Sequence, residues 1–380
     1  VPLKCNKTDF EYIKNLNKIS AEVWNYCVKI DHQYKEINKK EMTLSQLEFE
    51  TKQKFQLHAK GIHHAVFKYY YARSAMWKSI RRKHKESNAV KLPYKNKQYM
   101  TTGWDSQCIN VNQKNKIIKL AGIKDRGQII CHVKSIPSNV VEIELIYKDK
   151  YYLAIKYKEK DNNNLIQSKN KASIDFGEIH GITSIDNNGN CIILTNRKIR
   201  SLIREKDKRQ GEIKSLQSKC KQGSLRSKKY TKAIYKIKFE YENKILDIIH
   251  KQTKLYLDWC IKNNISEIYY GDVDSTTRDS KGKMSKFINH KLNMWRFGML
   301  TQQLQNKLSR YKIKMIKISE AYTSQTCPSC RKRNKPNGRN YICQCGYIQH
   351  RDIVGAINIL NFNTDFCLQK YTNKVYLQIN

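Results

Sequence analysis

The sequence predicts an α+β multidomain protein with a helical N-terminal lobe, a small β-barrel and a C-terminal α/β domain carrying an inserted zinc ribbon. Three observations lead there. Residues 9–90 contain no Pro and one Gly (Gly61), and their apolar residues recur with a period near 3.6. Residues 91–160 switch to short β-branched and aromatic runs punctuated by Pro93, Gly103, Gly122, Gly127 and Pro137. From residue 172 strands and helices are interleaved, with four clustered cysteines before the last helix. At 380 residues the chain is long enough for two or three domains with their own cores.

The charge balance is lopsided, with 73 Lys plus Arg against 33 Asp plus Glu and a formal charge of +40. Such an excess repels itself unless a polyanion neutralises it, and nucleic acid is the natural polyanion. Anionic membrane is the rival partner, but no apolar run approaches the ~20 residues of a spanning helix. The opening VPLKCNKTDFEY lacks the apolar core of a signal peptide. Twelve cysteines, eight scattered and four within nineteen residues, read as reduced thiols plus one metal site in a reducing compartment. The expected location is therefore cytoplasmic and nucleoid-associated, with no membrane partner.

In the N-terminal lobe, Phe10, Ile13, Leu16 and Ile19, then Trp24, Cys27 and Val28, mark helix faces. The segment HHAVFKYYYARSAMWKSIRRKHK, 63–85, mixes aromatics with seven Lys and Arg. It reads either as a helix with a packed aromatic face and a solvated basic face, or as a surface that stacks bases and holds phosphates. On the second reading Arg73, Lys78, Arg81 and Arg82 are the nucleic-acid-binding candidates. QIICHVK, VVEIELIYK and YYLAIKYK read as strands of a small antiparallel barrel or sheet, and the polar stretch 158–171 is a surface linker.

The third region opens with three strands, ASIDFG, GITSID and CIILTN, turning at Glu178–His180 and Asn187–Asn190. A Lys-rich helical stretch over 197–263 breaks near Gly223, and the strand ISEIYYGDV follows. A helix near 286–311, the strand YKIKMIKIS, the cysteine cluster and a helix from 352 complete the chain. Three strands, helices, strand, helix, strand, helix is the element order of the ribonuclease H-like fold.

Within that order Asp175 ends the first strand, and Gly177 permits the tight turn into the second. Asp352 opens the last helix, where Gly355 and Ala356 allow close approach to a sheet. An acid in a first helical turn also favours the macrodipole, yet this placement projects Asp352 toward Asp175. Two such carboxylates plus a third can hold two Mg²⁺ ions about 3.5–4 Å apart, one activating water and the other stabilising the leaving oxygen. Oxygen-only ligation suits Mg²⁺ or Mn²⁺. Cys327, Cys330, Cys343 and Cys345, spaced C-x2-C, twelve residues, C-x-C, fit a closed structural zinc site, with His350 a conceivable substitute ligand.

The ordered set IDFGEIHGITS, GDV, SEAYTSQTCPSC, CQCGY and HRDIVGAINIL closely resembles TnpB, the RNA-guided nuclease of bacterial insertion sequences, with the Fanzor proteins and compact type V CRISPR effectors as relatives. The resemblance spans roughly 172–362, while the first 170 residues match only in layout. It implies a helical recognition lobe at 1–96 (with the first wedge residues), a wedge β-barrel and linker at 97–170, and a RuvC-type nuclease domain at 171–380 with a zinc ribbon at 325–348. It also implies a guide RNA, a double-stranded target DNA with a short adjacent motif, and metal-dependent DNA cleavage encoded by a transposable element in a bacterial host.

One departure matters. Gly271 stands where many family members carry a catalytic Glu, and Glu320 stands just before TSQTC, where a rearranged, Fanzor-like subgroup carries it. Asp175, Glu320 and Asp352 are therefore the expected catalytic acids. Asp272 is the rival third acid, which strand alternation should turn away. The rival functions are a nuclease-inactive RNA-guided DNA-binding repressor and a DNA-joining transposase with a ribonuclease H-like site.

Overall fold

The computed structural model describes residues 1–82, 96–123, 127–148, 150–158, 168–272, 296–336 and 338–379, without the side chains of 79–82. They fall into two compact units, Val1–Lys160 and Asp161–Asn380. Among the described residues, no helix is long and apolar enough to cross a membrane.

In the first unit, helix α1 (Lys7–Asn38) starts where the Asn6 side chain accepts from the Asp9 backbone N–H and stops at Lys39, which is left-handed with φ 56°. Its buried stripe of Ile13, Leu16, Val23, Trp24 and Cys27 follows the helical period, whereas Phe10 stays 41% exposed, edge-on to Tyr151. Helix α2 (Leu44–Thr51) opens with a capping box of Thr43 and Gln46, and α3 spans Ala59–Arg82. The strands β1 (Thr102–Asp105), β2 (Ile109–Asn112), β3 (Ile117–Ala121), β4 (Gln128–His132), β5 (Val140–Tyr147) and β6 (Tyr151–Tyr157) follow. They form two antiparallel three-stranded sheets, β1-β5-β6 and β2-β3-β4, in place of the single barrel expected. Isolated bridges from Pro2 to Tyr152 and from Lys4 to His132 tie the N-terminus to both sheets. Helices and sheets share one core, in which Trp104, Ile129 and Leu145 meet Leu16, Leu47 and Val66.

The second unit is built on a six-stranded sheet. Its strands are β7 (Asn170–Asp175), β8 (His180–Asp186), β9 (Asn190–Thr195), β10 (Ile265–Gly271), β11 (Lys314–Ile318) and, after the short β12 (Asn340–Ile342) and β13 (Ile348–His350), β14 (Asn373–Gln378). The order is β11-β10-β7-β8-β9-β14. β7, β8 and β9 form the antiparallel meander, while β10 and β11 add in parallel on one side and β14 in parallel on the other.

Both faces of the central strands are covered, and β8 is buried along its whole length, while the edge strands β11 and β14 stay partly and largely exposed, respectively. Ile174, Ile192 and Leu194 pack against α4 (Arg197–Ser218), α5 (Leu225–Lys262) and α6 (Phe297–Leu308). Ile185, Cys191 and Ile193 face α7 (Arg351–Asn363) through Ile353, Ala356 and Ile357. The break between α4 and α5 falls at 219–224, with Gly223 at φ +81°. Residues 286–295 of the expected sixth helix lie outside the described residues.

Arg73 corrects an expectation. It is buried, with Nη1 2.5 Å from Asp31 Oδ2, Nε 3.3 Å from Glu41 Oε2 and Nη2 donating to Met42 O at 2.7 Å. Tyr69 Oη and Met42 N also donate to Asp31. Arg73 thus clamps α3 to α1 and faces no solvent. Arg73→Met should destabilise the protein by about 3–5 kcal/mol, because it strands a buried carboxylate. Adding Asp31→Leu should recover only part of that loss in urea unfolding, because Tyr69 Oη and Met42 N then lose their acceptor, and nucleic-acid affinity of the folded protein should not move. Lys78 is exposed, while the side chains of Arg81 and Arg82 lie outside the described residues.

Candidate active site and metal centre

Asp175 ends β7 at the centre of the sheet. The chain reverses at once, because the Gly177 N–H donates to the His180 carbonyl at 2.9 Å. A Cβ on Gly177 would lie 2.7 Å from that same oxygen, so only glycine closes this turn without displacing it. α7 crosses the sheet beside Asp175 at equally short range. A Cβ on Gly355 would sit 2.6 Å from Asp175 Oδ2, and Ser173 Oγ donates to Ala356 O at 2.6 Å. Small residues at 355 and 356 therefore set the spacing that the site requires.

Asp352 lies one turn before Gly355. Its Oδ2 accepts from His180 Nδ1 at 2.8 Å, and its backbone N–H donates to His350 Nδ1, the N-cap of α7, at 3.3 Å. Burial would push this carboxyl up, but the His180 hydrogen bond and the charges of His350 and Arg351 hold it below the usual carboxylate range. Asp175 behaves oppositely. Burial, then the charges of Asp352 and Glu320, push it well above its ordinary value, with only Arg351 opposing.

Glu320 lies two residues beyond β11, whose Ile318 pairs with Gly271 of β10. Its side chain folds back over Gly271. A Cβ at 271 would lie 1.8 Å from Glu320 Oε1 and 1.9 Å from its Cγ, so the glycine vacates the space that the carboxylate fills. Glu320 Oε1 is buried without a hydrogen-bond partner. Burial and the nearby Asp272 raise Glu320 to about 7. Asp272 itself is engaged by Lys317 Nζ at 2.6 Å.

Asp175 on β7 thus lies near enough to Glu320, beyond β11, and to Asp352, at the start of α7, for both to raise its proton affinity, and one buried Glu320 oxygen is left unpartnered. A divalent cation fits this donor set: it removes the mutual repulsion and satisfies the orphaned oxygen.

The cysteine cluster sits between Glu320 and Asp352 in the chain. Cys327 and Cys345 sulfurs lie 3.6 Å apart, Cys330 and Cys343 3.5 Å apart, and all four fall within 4.8 Å of one another. Tetrahedral zinc with Zn–S near 2.3 Å separates its sulfurs by about 3.8 Å, so the cluster could bind zinc. Its turns place Arg331 and Gly346 at φ 59° and 83°. β12 and β13 form an antiparallel hairpin beneath, with Tyr341 and Tyr347 buried against Cys327 and Val354. His350 is not a fifth candidate there: it caps α7 beside His180 and Asp352.

Asn358 joins the two centres, donating from one buried amide to Thr323 O and Thr326 O, both at 2.7 Å. It pins the segment between Glu320 and Cys327 to α7. Sequence reading missed His180 as a site residue, placing it only in a turn, because its partner Asp352 is 172 positions away.

The family model for the Cas12f1-like TNB domain matches residues 297–359, which include Glu320, all four cysteines and Asp352. A TnpB-like protein of Methanocaldococcus jannaschii is 26% identical over 196 residues, covering 51% of this chain and 69% of that protein. The overall structure is similar to a chain in a cryo-EM structure of a Cas12f1–sgRNA–target DNA complex, with TM-score 0.66 at 13% identity, covering 93% of this chain and 83% of that one. By these matches the chain is similar to TnpB-like proteins and, over residues 297–359, to the Cas12f1-like TNB domain.

Proposed function

We propose that this protein is an RNA-guided, Mg²⁺-dependent double-stranded DNA endonuclease of the RuvC type, encoded by a transposable element, in which Asp175, Glu320 and Asp352 hold the catalytic ions. The observation that carries this is Glu320 seated over Gly271: the acid absent from β10 is replaced in space by one from the end of β11. That substitution favours the rearranged, Fanzor-like subgroup.

Divalent ions bound there would supply an activated water and Lewis-acid stabilisation of the leaving oxygen. The chain's own contribution is placement. Asp175 approaches from the sheet and Asp352 from the helix N-terminus, and Glu320 closes the third side. The cysteine cluster, as a zinc ribbon over 325–348, fixes the segment between the last two acids. The +40 charge matches a polyanionic partner, which we take to be a guide RNA together with target DNA bearing a short adjacent motif. The layout we assign is a recognition lobe at 1–96, a wedge at 97–170 and a nuclease domain from 171, with Lys78, Arg81 and Arg82 offered to nucleic acid.

The test is the RNA carried by the purified protein. A single structured RNA species should copurify, and replacing its 3′ portion should redirect binding to duplexes that match the new sequence. Affinity should fall by about 0.9 log units per log unit of salt for each duplex phosphate neutralised. Binding of target DNA that is indifferent to the RNA supplied would count against guidance and for a self-standing transposase.

A further inference from the structure

His180 opens β8 with its ring buried against His350 (centroids 5.0 Å apart) and edge-on to Tyr376 (5.9 Å). Its Nδ1 meets Asp352 Oδ2 at 2.8 Å. His180, His350 and Asp352 bring their ligand atoms within 4.8 Å of one another, which would suit a metal of their own. Both facing nitrogens are already committed, however: His180 Nδ1 donates to Asp352, and His350 Nδ1 accepts the Asp352 backbone N–H. The cluster is therefore built to hold a carboxylate.

We infer that His180 is a positioning residue for the Asp352 carboxylate, fixing its rotamer so that it meets the divalent ion ready oriented. The inference rests on the metal-dependent reading above. The Nδ1–H···Oδ2 bond engages one of the two carboxylate oxygens. Fixing the χ angles of a ligand before the ion arrives removes an ordering cost from binding. Outer groups of this kind change metal affinity or activity by about 10–100-fold when removed. His180 reaches Asp352 from the strand that begins immediately after the Asp175 turn. One tight turn, closed by Gly177, thus sets both the Asp175 carboxylate and the group that orients its partner.

Two substitutions separate positioning from packing. His180→Phe keeps the ring against His350 and Tyr376 but removes the donor. His180→Asn loses the ring yet places an amide N–H near the Nδ1 locus. Mn²⁺ binding to the protein–RNA complex, read by electron paramagnetic resonance, should weaken by about 10–100-fold in His180→Phe and recover most of that loss in His180→Asn. The Mg²⁺ half-saturation of cleavage should move in parallel, with the rate at saturating Mg²⁺ much less affected and thermal stability separately recorded. Unchanged Mn²⁺ affinity in His180→Phe, or equal loss in both variants, would overturn the positioning role while leaving the nuclease reading intact. A wild-type complex that binds no Mn²⁺ and cuts nothing would overturn both.

Discussion

Glu320→Gln is expected to lower cleavage of a matched duplex by roughly 10³-fold or more while leaving RNA-directed DNA binding intact. The amide keeps the shape but removes the charge that the proposed metal role of Glu320, whose Oε1 is buried without a hydrogen-bond partner, requires. Asp175→Asn and Asp352→Asn should behave the same way. Asp272→Asn should retain measurable cutting, because Asp272 is paired with Lys317. Adjacent strands lie ~4.8 Å apart, so an acid just past the end of β11 reaches the position that an acid on β10 would otherwise hold. Gly271→Ala provides the converse test. Its Cβ would fall within 2 Å of both Oε1 and Cγ of Glu320, so the alanine must expel the carboxylate and should mimic Glu320→Gln. Loss of cutting in Asp272→Asn together with retention in Glu320→Gln would reassign the third acid.

Removing the cysteine-held metal should have an effect of similar size by a different route. Cys327→Ser or Cys343→Ser is expected to release one zinc per chain. Structural zinc contributes about 10–16 kcal/mol in small zinc-finger peptides, and here Cys327, Cys343, Tyr341 and Tyr347 share their cluster with Val354 of α7. Loosening that cluster loosens the helix turn carrying Asp352, and through Asn358 the segment that follows Glu320. Cleavage should therefore fall together with zinc content, and strong chelators should lower the melting temperature of the C-terminal unit. Fully active protein with no zinc by elemental analysis would contradict this.

Much of the second unit was readable because its signals are local. The meander, the break at Gly223 and the acid at the start of α7 each follow from a few neighbouring residues. The Gly271–Glu320 exchange was legible only through resemblance, since no periodicity links two positions on neighbouring strands. β14 went unread because an edge strand with mostly exposed residues, NKVYLQ, lacks the buried alternation that marks a strand. Arg73 was misassigned for a related reason. Composition counts it with the solvated cations of 63–85, while its partner Asp31 lies on another helix, 42 positions away. The barrel was overread, since strand-forming runs do not state whether six strands close into one sheet or split into two.

The most direct measurement is strand cleavage of an RNA-matched duplex by the wild-type and Asp175→Asn complexes across a Mg²⁺ titration, with chelated controls. Asp175 is the acid whose proton affinity both Asp352 and Glu320 raise, so its loss should silence the site at every ion concentration. The expected result is cutting of both strands that requires Mg²⁺ or Mn²⁺ and is absent in Asp175→Asn. Cutting that survives the substitution or the chelator would contradict the three-carboxylate site, and a wild-type complex that binds the matched duplex tightly without ever cutting it would establish the repressor instead.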